Sequence, residues 1–201
     1  MKTLLMLLGL SLVLCICAQK VQADPVVFTA TLTGPAEQPP NMSPGVGFAI
    51  VTFDPTAHTL RVQVIFGNLL APVTVAHIHA PTAVAFAGTA GVATAVPTFP
   101  GFPTMTFGVY DMTFNTLMAA TYNPAFVTMQ GGTLESAEAA LFSFMLEGRS
   151  YFNIHSSAFP GGEIRGFLQP IPEPATLFML GAGIGGLAFK LKRRRSINPK
   201  S

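Results

Sequence analysis

Apolar residues are arranged along the chain in four ways. Leu4 to Ala18 is an almost unbroken apolar run with no amphipathic period. From Val26 onward the apolar stretches shorten and become rich in β-branched and aromatic residues: Val26–Thr33, Val46–Phe53, Leu60–Phe66, Val73–His79, Phe107–Phe114, Tyr151–His155 and Glu163–Leu168. Turn chemistry at Gly34-Pro35, Pro39-Pro40, Pro44-Gly45 and Asp54-Pro55 separates the early runs, so each reads as a strand. Leu134 to about Glu147 has a helical period instead. Leu134, Ala137, Leu141, Phe144 and Met145 form its apolar face, Glu135 and Glu138 lie in a solvated first turn, and Gly148 ends it. A second continuous apolar run, Ala175–Phe189, lies near the C-terminus.

Strands at this spacing predict an antiparallel sandwich or barrel. Pro81 to about Thr106 is poor in charge and rich in Ala, Gly, Thr and Pro. It reads as a long surface loop with at most one strand. It contains the Pro- and Phe-rich run Val96–Pro103, and Tyr110, Tyr122 and Tyr151 with the many phenylalanines suggest a glycan-stacking surface, with loop 97–106 as its test, against the simpler use of phenylalanine in packing.

The two ends carry addresses. Lys2, the apolar run and the small residues of Val21-Gln22-Ala23 predict a signal helix cut between Ala23 and Asp24 by signal peptidase. Cys15 and Cys17 lie inside it, flanked by the large Leu14 and Ile16, which argues against lipidation. The mature chain then holds no cysteine and must stand on its hydrophobic core. About 150 residues bury roughly 70% of their unfolded surface, which is enough. At the other end Pro172-Glu173-Pro174 precedes the apolar run, and Lys190, Lys192, Arg193, Arg194 and Arg195 follow it. The run is short of the roughly 20 residues of a full span. Snorkelling lysines extend it, and the bases hold its end in the cytoplasm.

This order of elements resembles the PEP-CTERM sorting signal. The resemblance implies recognition by an exosortase, a membrane transpeptidase, and transient residence in the inner membrane of a Gram-negative bacterium. Release to the cell surface or extracellular matrix follows. Gly181, Gly183 and Gly186 match the spacing of a dinucleotide fingerprint, but no acid follows them and no strand precedes them, so a nucleotide site is rejected.

Charge adds a constraint. The chain has 201 residues, of which 50% are hydrophobic and only 10% charged. That excludes a disordered chain. The formal net charge of +2 hides an uneven distribution. Nine acids and three bases lie between Asp24 and Phe189, and six bases with no acid lie from Lys190 to Ser201. An acidic body offers no field for nucleic acid.

Candidate chemistry gathers at the histidines. His77 and His79 stand at i and i+2 on one strand and so share a face. His155 ends a later strand, with Asn153 two residues before it. Glu163 and Arg165 share a face of the strand that follows. Three imidazoles with an open fourth position suit zinc or copper. The same residues also read as a self-satisfied polar cluster at one end of a sandwich. Glu37, in a Pro-rich turn, reads as an acceptor of backbone amides, and His58 as a solvent residue. The chain contains no nucleophile elbow, P-loop or C-x-x-C pair.

Four ordered segments carry a second resemblance: Leu32–Pro40, His77-Ile-His79, Gly148–His155 and Pro160–Gly166. Together they resemble the CHRD domain over about residues 26–169. That resemblance implies a β-sandwich with no established enzymatic activity. The His-x-His strand and the late Gly-Glu-Ile-Arg-Gly are also similar to copper/zinc superoxide dismutases. Those enzymes differ in their structural disulfide and larger histidine set, so the similarity bears on fold and metal alone.

The sequence therefore predicts a mainly β protein, an antiparallel β-sandwich of superoxide-dismutase-like or Ig-like type with one short helix, flanked by a signal helix and a C-terminal transmembrane helix. Its divisions are 1–23 (signal), 24–171 (CHRD-like domain), 172–195 (sorting motif, membrane segment, basic stop) and 196–201 (disordered terminus). The expected role is a non-enzymatic surface or matrix module with no established cofactor. The alternatives are copper or zinc binding through His77, His79 and His155, or saccharide binding with matrix polysaccharide as partner. Deleting Pro172–Arg195 is expected to abolish surface delivery in the native host; cell fractionation showing unchanged surface localisation would sink the sorting assignment.

Overall fold

The computed structural model describes residues 24–172. The signal segment, Glu173 and Pro174 of the sorting motif, the apolar run, the basic stop and residues 196–201 lie outside the described residues, which end at Pro172. Among the described residues no helix is long and apolar enough to cross a membrane.

Eight strands form one antiparallel sheet curled into a half-barrel. They are β1 (Val26–Thr33), β2 (Val46–Asp54), β3 (Thr59–Gly67), β4 (Val73–His79), β5 (Gly108–Asn115), β6 (Tyr151–Ser156), β7 (Ile164–Phe167) and β8 (Gln169–Pro170). The order across the sheet is β4-β6-β7-β1-β2-β3-β5, with β8 also paired to β1. The mainly β antiparallel architecture expected from the sequence is therefore present. Alternate residues of each strand point to the concave side. Phe28, Ala30 and Leu32 of β1, Ala49, Val51 and Phe53 of β2, and Leu60, Val62, Val64 and Phe66 of β3 form the core there.

The helix expected at Leu134–Glu147 is α2 (Leu134–Leu146), started by a Thr133–Ser136 capping box. Its Phe142 packs on Phe28 and Phe53, with ring centroids 6.5 and 5.0 Å apart. A shorter helix, α1 (Pro124–Met129), precedes it and was not expected; Asn123 caps it and Pro124 opens it. Glu138 corrects the sequence reading. It falls on the Leu134–Leu141–Met145 stripe, which turns inward, and is buried instead of solvated. Its carboxylate accepts a short hydrogen bond from the Thr116 hydroxyl and lies 2.9 Å from His58 Nδ1. His58 is thus engaged rather than free in solvent.

The segment 81–106 contains no strand and exposes many of its residues, as a surface loop does, but its buried Ala93, Thr94, Ala95, Phe99 and Phe102 tie it to the sheet. β4 is the edge strand, and a bare edge needs cover. The segment supplies it: Ala76 N donates to Thr98 Oγ1, Ile78 N to Thr94 Oγ1, and Ala93 N and Phe99 N to the carbonyls of Ile78 and Ala76. Side-chain hydroxyls replace part of the ladder, so the segment follows β4 without strand geometry. Phe99 is wholly buried, with its ring 5.3 Å from that of Phe114 and 5.8 Å from that of Phe152, and Phe102 stacks on Phe66 at 5.5 Å. These rings are core and offer no stacking surface to a glycan.

Phe99→Ala is expected to cost about 3–5 kcal/mol in urea denaturation. Phe107→Ala, at an exposed ring, should cost within about 0.5 kcal/mol. Equal effects would contradict the packing of this segment.

Candidate metal centre

β4 and β6 pair so that His77 faces Asn153, His79 faces Tyr151 and Val75 faces His155. Asn153 in turn faces Arg165 of β7. Residues directly opposite in an antiparallel pair share a face. One face therefore carries His77, His79, Tyr151, Asn153, His155 and Arg165, while Ala76, Ile78, Phe152, Ile154 and Ile164 face the core. Segment 81–106 and the turn after β6 cover the histidine face, which leaves every residue of β6 buried.

The three rings form a nearly equilateral triangle, with centroids 5.6, 5.7 and 5.8 Å apart. One ligand atom from each lies within 4.8 Å of the others. Nitrogens bound to one ion would stand about 3.5 Å apart, given metal–nitrogen bonds of about 2.0–2.1 Å, so the rings need close by only about 1 Å.

The other nitrogen of each ring is fixed by a backbone carbonyl. His77 Nε2 lies 2.6 Å from the Pro97 oxygen, His79 Nδ1 2.9 Å from that of Ala90, and His155 Nδ1 2.9 Å from that of Pro160. A carbonyl only accepts, so each of these nitrogens carries its ring's hydrogen. Burial pushes all three pKa values down, that of His79 to about 4, with the neighbouring rings and Arg165 adding to the effect at His79. The rings are therefore neutral at pH 7. Their remaining nitrogens, His77 Nδ1, His79 Nε2 and His155 Nε2, are bare lone pairs, buried and without a partner. Carbonyl-anchored imidazoles of this kind are what metal ligation uses.

The polar neighbours divide into two groups. Arg165 lies over the Tyr151 ring at 4.8 Å, and Tyr151 stacks on His79 at 4.8 Å. Arg165 also donates to the carbonyls of Ala36 and Gly88 and stands 3.8 Å from Glu37. Burial pushes Glu37 up to about 7, with Arg165 and the Gln38 amide acting the other way. Glu37 thus faces a guanidinium as well as an amide. Gly162, at φ +130°, keeps the space beside it open, since a Cβ there would stand 2.7–2.8 Å from both its carboxylate oxygens and from Asn153 Nδ2. Glu163 belongs elsewhere: its Oε1 accepts from Ser43 Oγ at 2.7 Å and from Leu70 N at 2.6 Å. The structure therefore brings His77, His79, His155, Asn153 and Arg165 into one layer and turns the bonded oxygen of Glu163 toward Ser43 and Leu70. Tyr151, which the sequence offers for stacking or packing and not for the histidine site, lies on this face by its spacing from Asn153 and His155. The anchoring carbonyls had no sequence signal.

A family model described as CHRD domain matches residues 28–168. Another, described as PEP-CTERM protein-sorting motif, matches residues 170–195. No curated protein and no solved structure matches the chain.

The buried rings impose a pH dependence on the metal-free protein. Below about pH 6.5 the unfolded chain takes up protons that the folded rings refuse, so stability falls with pH through this window. For His79, lowered from 6.5 to about 4, the loss is on the order of 3 kcal/mol. Glu37 opposes this between 4.5 and about 7, where only the folded state keeps its proton. Glu37 and His79 shift by similar amounts in opposite senses, so the share of the rings is read as the difference in urea midpoint between pH 7 and pH 5 in the wild type and in a His79 variant. His79→Phe should lose less on acidification; an unchanged loss would refute the assignment of neutral rings.

Proposed function

The chain belongs to the CHRD domain family, and from that premise we propose an exported, surface-sorted module whose β-domain binds a copper or zinc ion through His77, His79 and His155. The sorting motif supports export and processing by exosortase-type machinery. The observation that carries the metal reading is the set of three buried, partnerless ring nitrogens, each opposite a nitrogen anchored to a carbonyl.

A self-satisfied polar cluster fits this layer less well. Such a cluster would pair its own atoms. Instead Asn153 Oδ1, Glu37 Oε1 and Glu163 Oε2 are also buried without partners. A bound cation would use the three lone pairs at once. We read the role as binding, not catalysis. Glu163 is bonded to Ser43 and Leu70, and Glu37 faces Arg165, so neither carboxylate is paired with a ring as a general base would be.

The full chain, exported in a bacterial host and purified without a histidine tag, should carry close to one copper or zinc per molecule by elemental mass spectrometry. A variant with all three histidines changed to alanine should carry none. Absence of both metals from the wild-type protein, even after reconstitution with either ion, would overturn the reading.

A further inference from the structure

We propose that the ion taken at this site is monovalent copper, held by the three imidazoles without a fourth ligand. The inference rests on the three-histidine reading above and adds to it an oxidation state and a coordination number. Imidazole alone does not choose between copper and zinc. Charge and the shape of the ligand set make the choice.

The ligand set is neutral. All three histidines present lone pairs, and neither Glu37 nor Glu163 contributes to the cluster of ligand atoms. Oε1 of Glu163 is committed to Ser43 and Leu70, and Glu37 to the neighbourhood of Arg165. A guanidinium adjoins the layer: Arg165 lies over Tyr151, which stacks on His79, and stands 3.8 Å from Glu37. A dication here would keep its full double charge on a neutral ligand set in a buried layer, and an uncompensated buried charge is costly. A monocation halves that burden.

Coordination number points the same way. Zinc takes four ligands, the fourth being water where the protein gives only three. Copper(II) prefers tetragonal surroundings. Either ion needs a further ligand above a triangle whose members are only 5–8% exposed. Copper(I), with a closed d shell, is content with three nitrogens in a triangle, the outline that the near-equal ring separations already draw.

The test uses the full, untagged, metal-stripped chain. Copper(I) is titrated anaerobically against bicinchoninate. Copper(II) and zinc(II) are titrated against chelators of known strength, and X-ray absorption of each loaded form counts its neighbours. The expected result is one copper(I) per chain with three nitrogen neighbours, bound roughly 100-fold or more tightly than copper(II), as the cost of an extra buried charge requires. Copper(II) bound as tightly as copper(I), or zinc bound more tightly in a four-coordinate site, would overturn the inference and leave the metal site standing. Failure of all three ions to bind would remove the metal site itself, and the inference with it.

Discussion

The histidine layer depends on three backbone carbonyls. Those of Ala90, Pro97 and Pro160 each take one ring hydrogen, and so decide which nitrogen of each ring is bare. Without them the rings could rotate and pair with one another, or with the Asn153 amide. With them, three acceptors converge and no donor answers. A buried acceptor left without a partner costs about 1–3 kcal/mol. The arrangement is therefore one that the fold tolerates in the free state and that a cation relieves.

None of the three carbonyls lies in a regular element, so their placement has to come from packing. Segment 81–106 is anchored from both sides. Phe99 and Phe102 sink into the core beside Phe152 and Phe66, while Thr94 and Thr98 bond the outer edge of β4. The same contacts that finish the sheet's edge thus hold the Ala90 and Pro97 oxygens over His79 and His77. The Pro160 carbonyl is set by a tight turn: Ser156 and Phe159 bond each other through the backbone, and Gly162 N returns to the Phe159 oxygen. Edge protection and ligand orientation are one structural problem here, solved by the same residues.

That coupling explains what could be read in the sequence and what could not. Strand positions were legible because Gly and Pro pairs bound each run, and α2 because its apolar stripe and Gly148 are local signals. Two histidines at i and i+2 announced a shared face for the same reason. His155 could be added only as a candidate, since its meeting with His77 and His79 needs the β4–β6 pairing across more than half of the domain. The burial of Phe99 and Phe102 was hidden by their Pro-rich surroundings, which signal irregular backbone correctly but say nothing about where the rings go. Glu138 was misread by treating the first turn of a helix as solvated; its place on the apolar stripe with Leu141 and Met145 outranks its charge once Thr116 and His58 supply partners. The bonds of Arg165 to the Ala36 and Gly88 carbonyls are 129 and 77 residues long in sequence and leave no local trace.

The distance between the ligands in sequence also bears on when the site forms. His77 and His79 come from an edge strand, and His155 from the strand that pairs with it after α1, α2 and β5 have intervened. An unfolded chain presents one His-x-His pair and a remote third imidazole, which is a weak ligand; a preformed site arises only with the sheet. The PEP-CTERM motif implies export, so a chain that folds after crossing the membrane would meet its ion outside the cytoplasm. A donor set of imidazoles suits that compartment. Thiolates are stronger ligands for copper but oxidise there, and both cysteines of the chain precede Asp24. Once bound, an ion would favour the folded sheet by mass action, and it would act on β4, whose outer edge is closed by side-chain hydroxyls and an irregular segment. A metal at this position would therefore stabilise the domain where its hydrogen-bonded ladder is least regular.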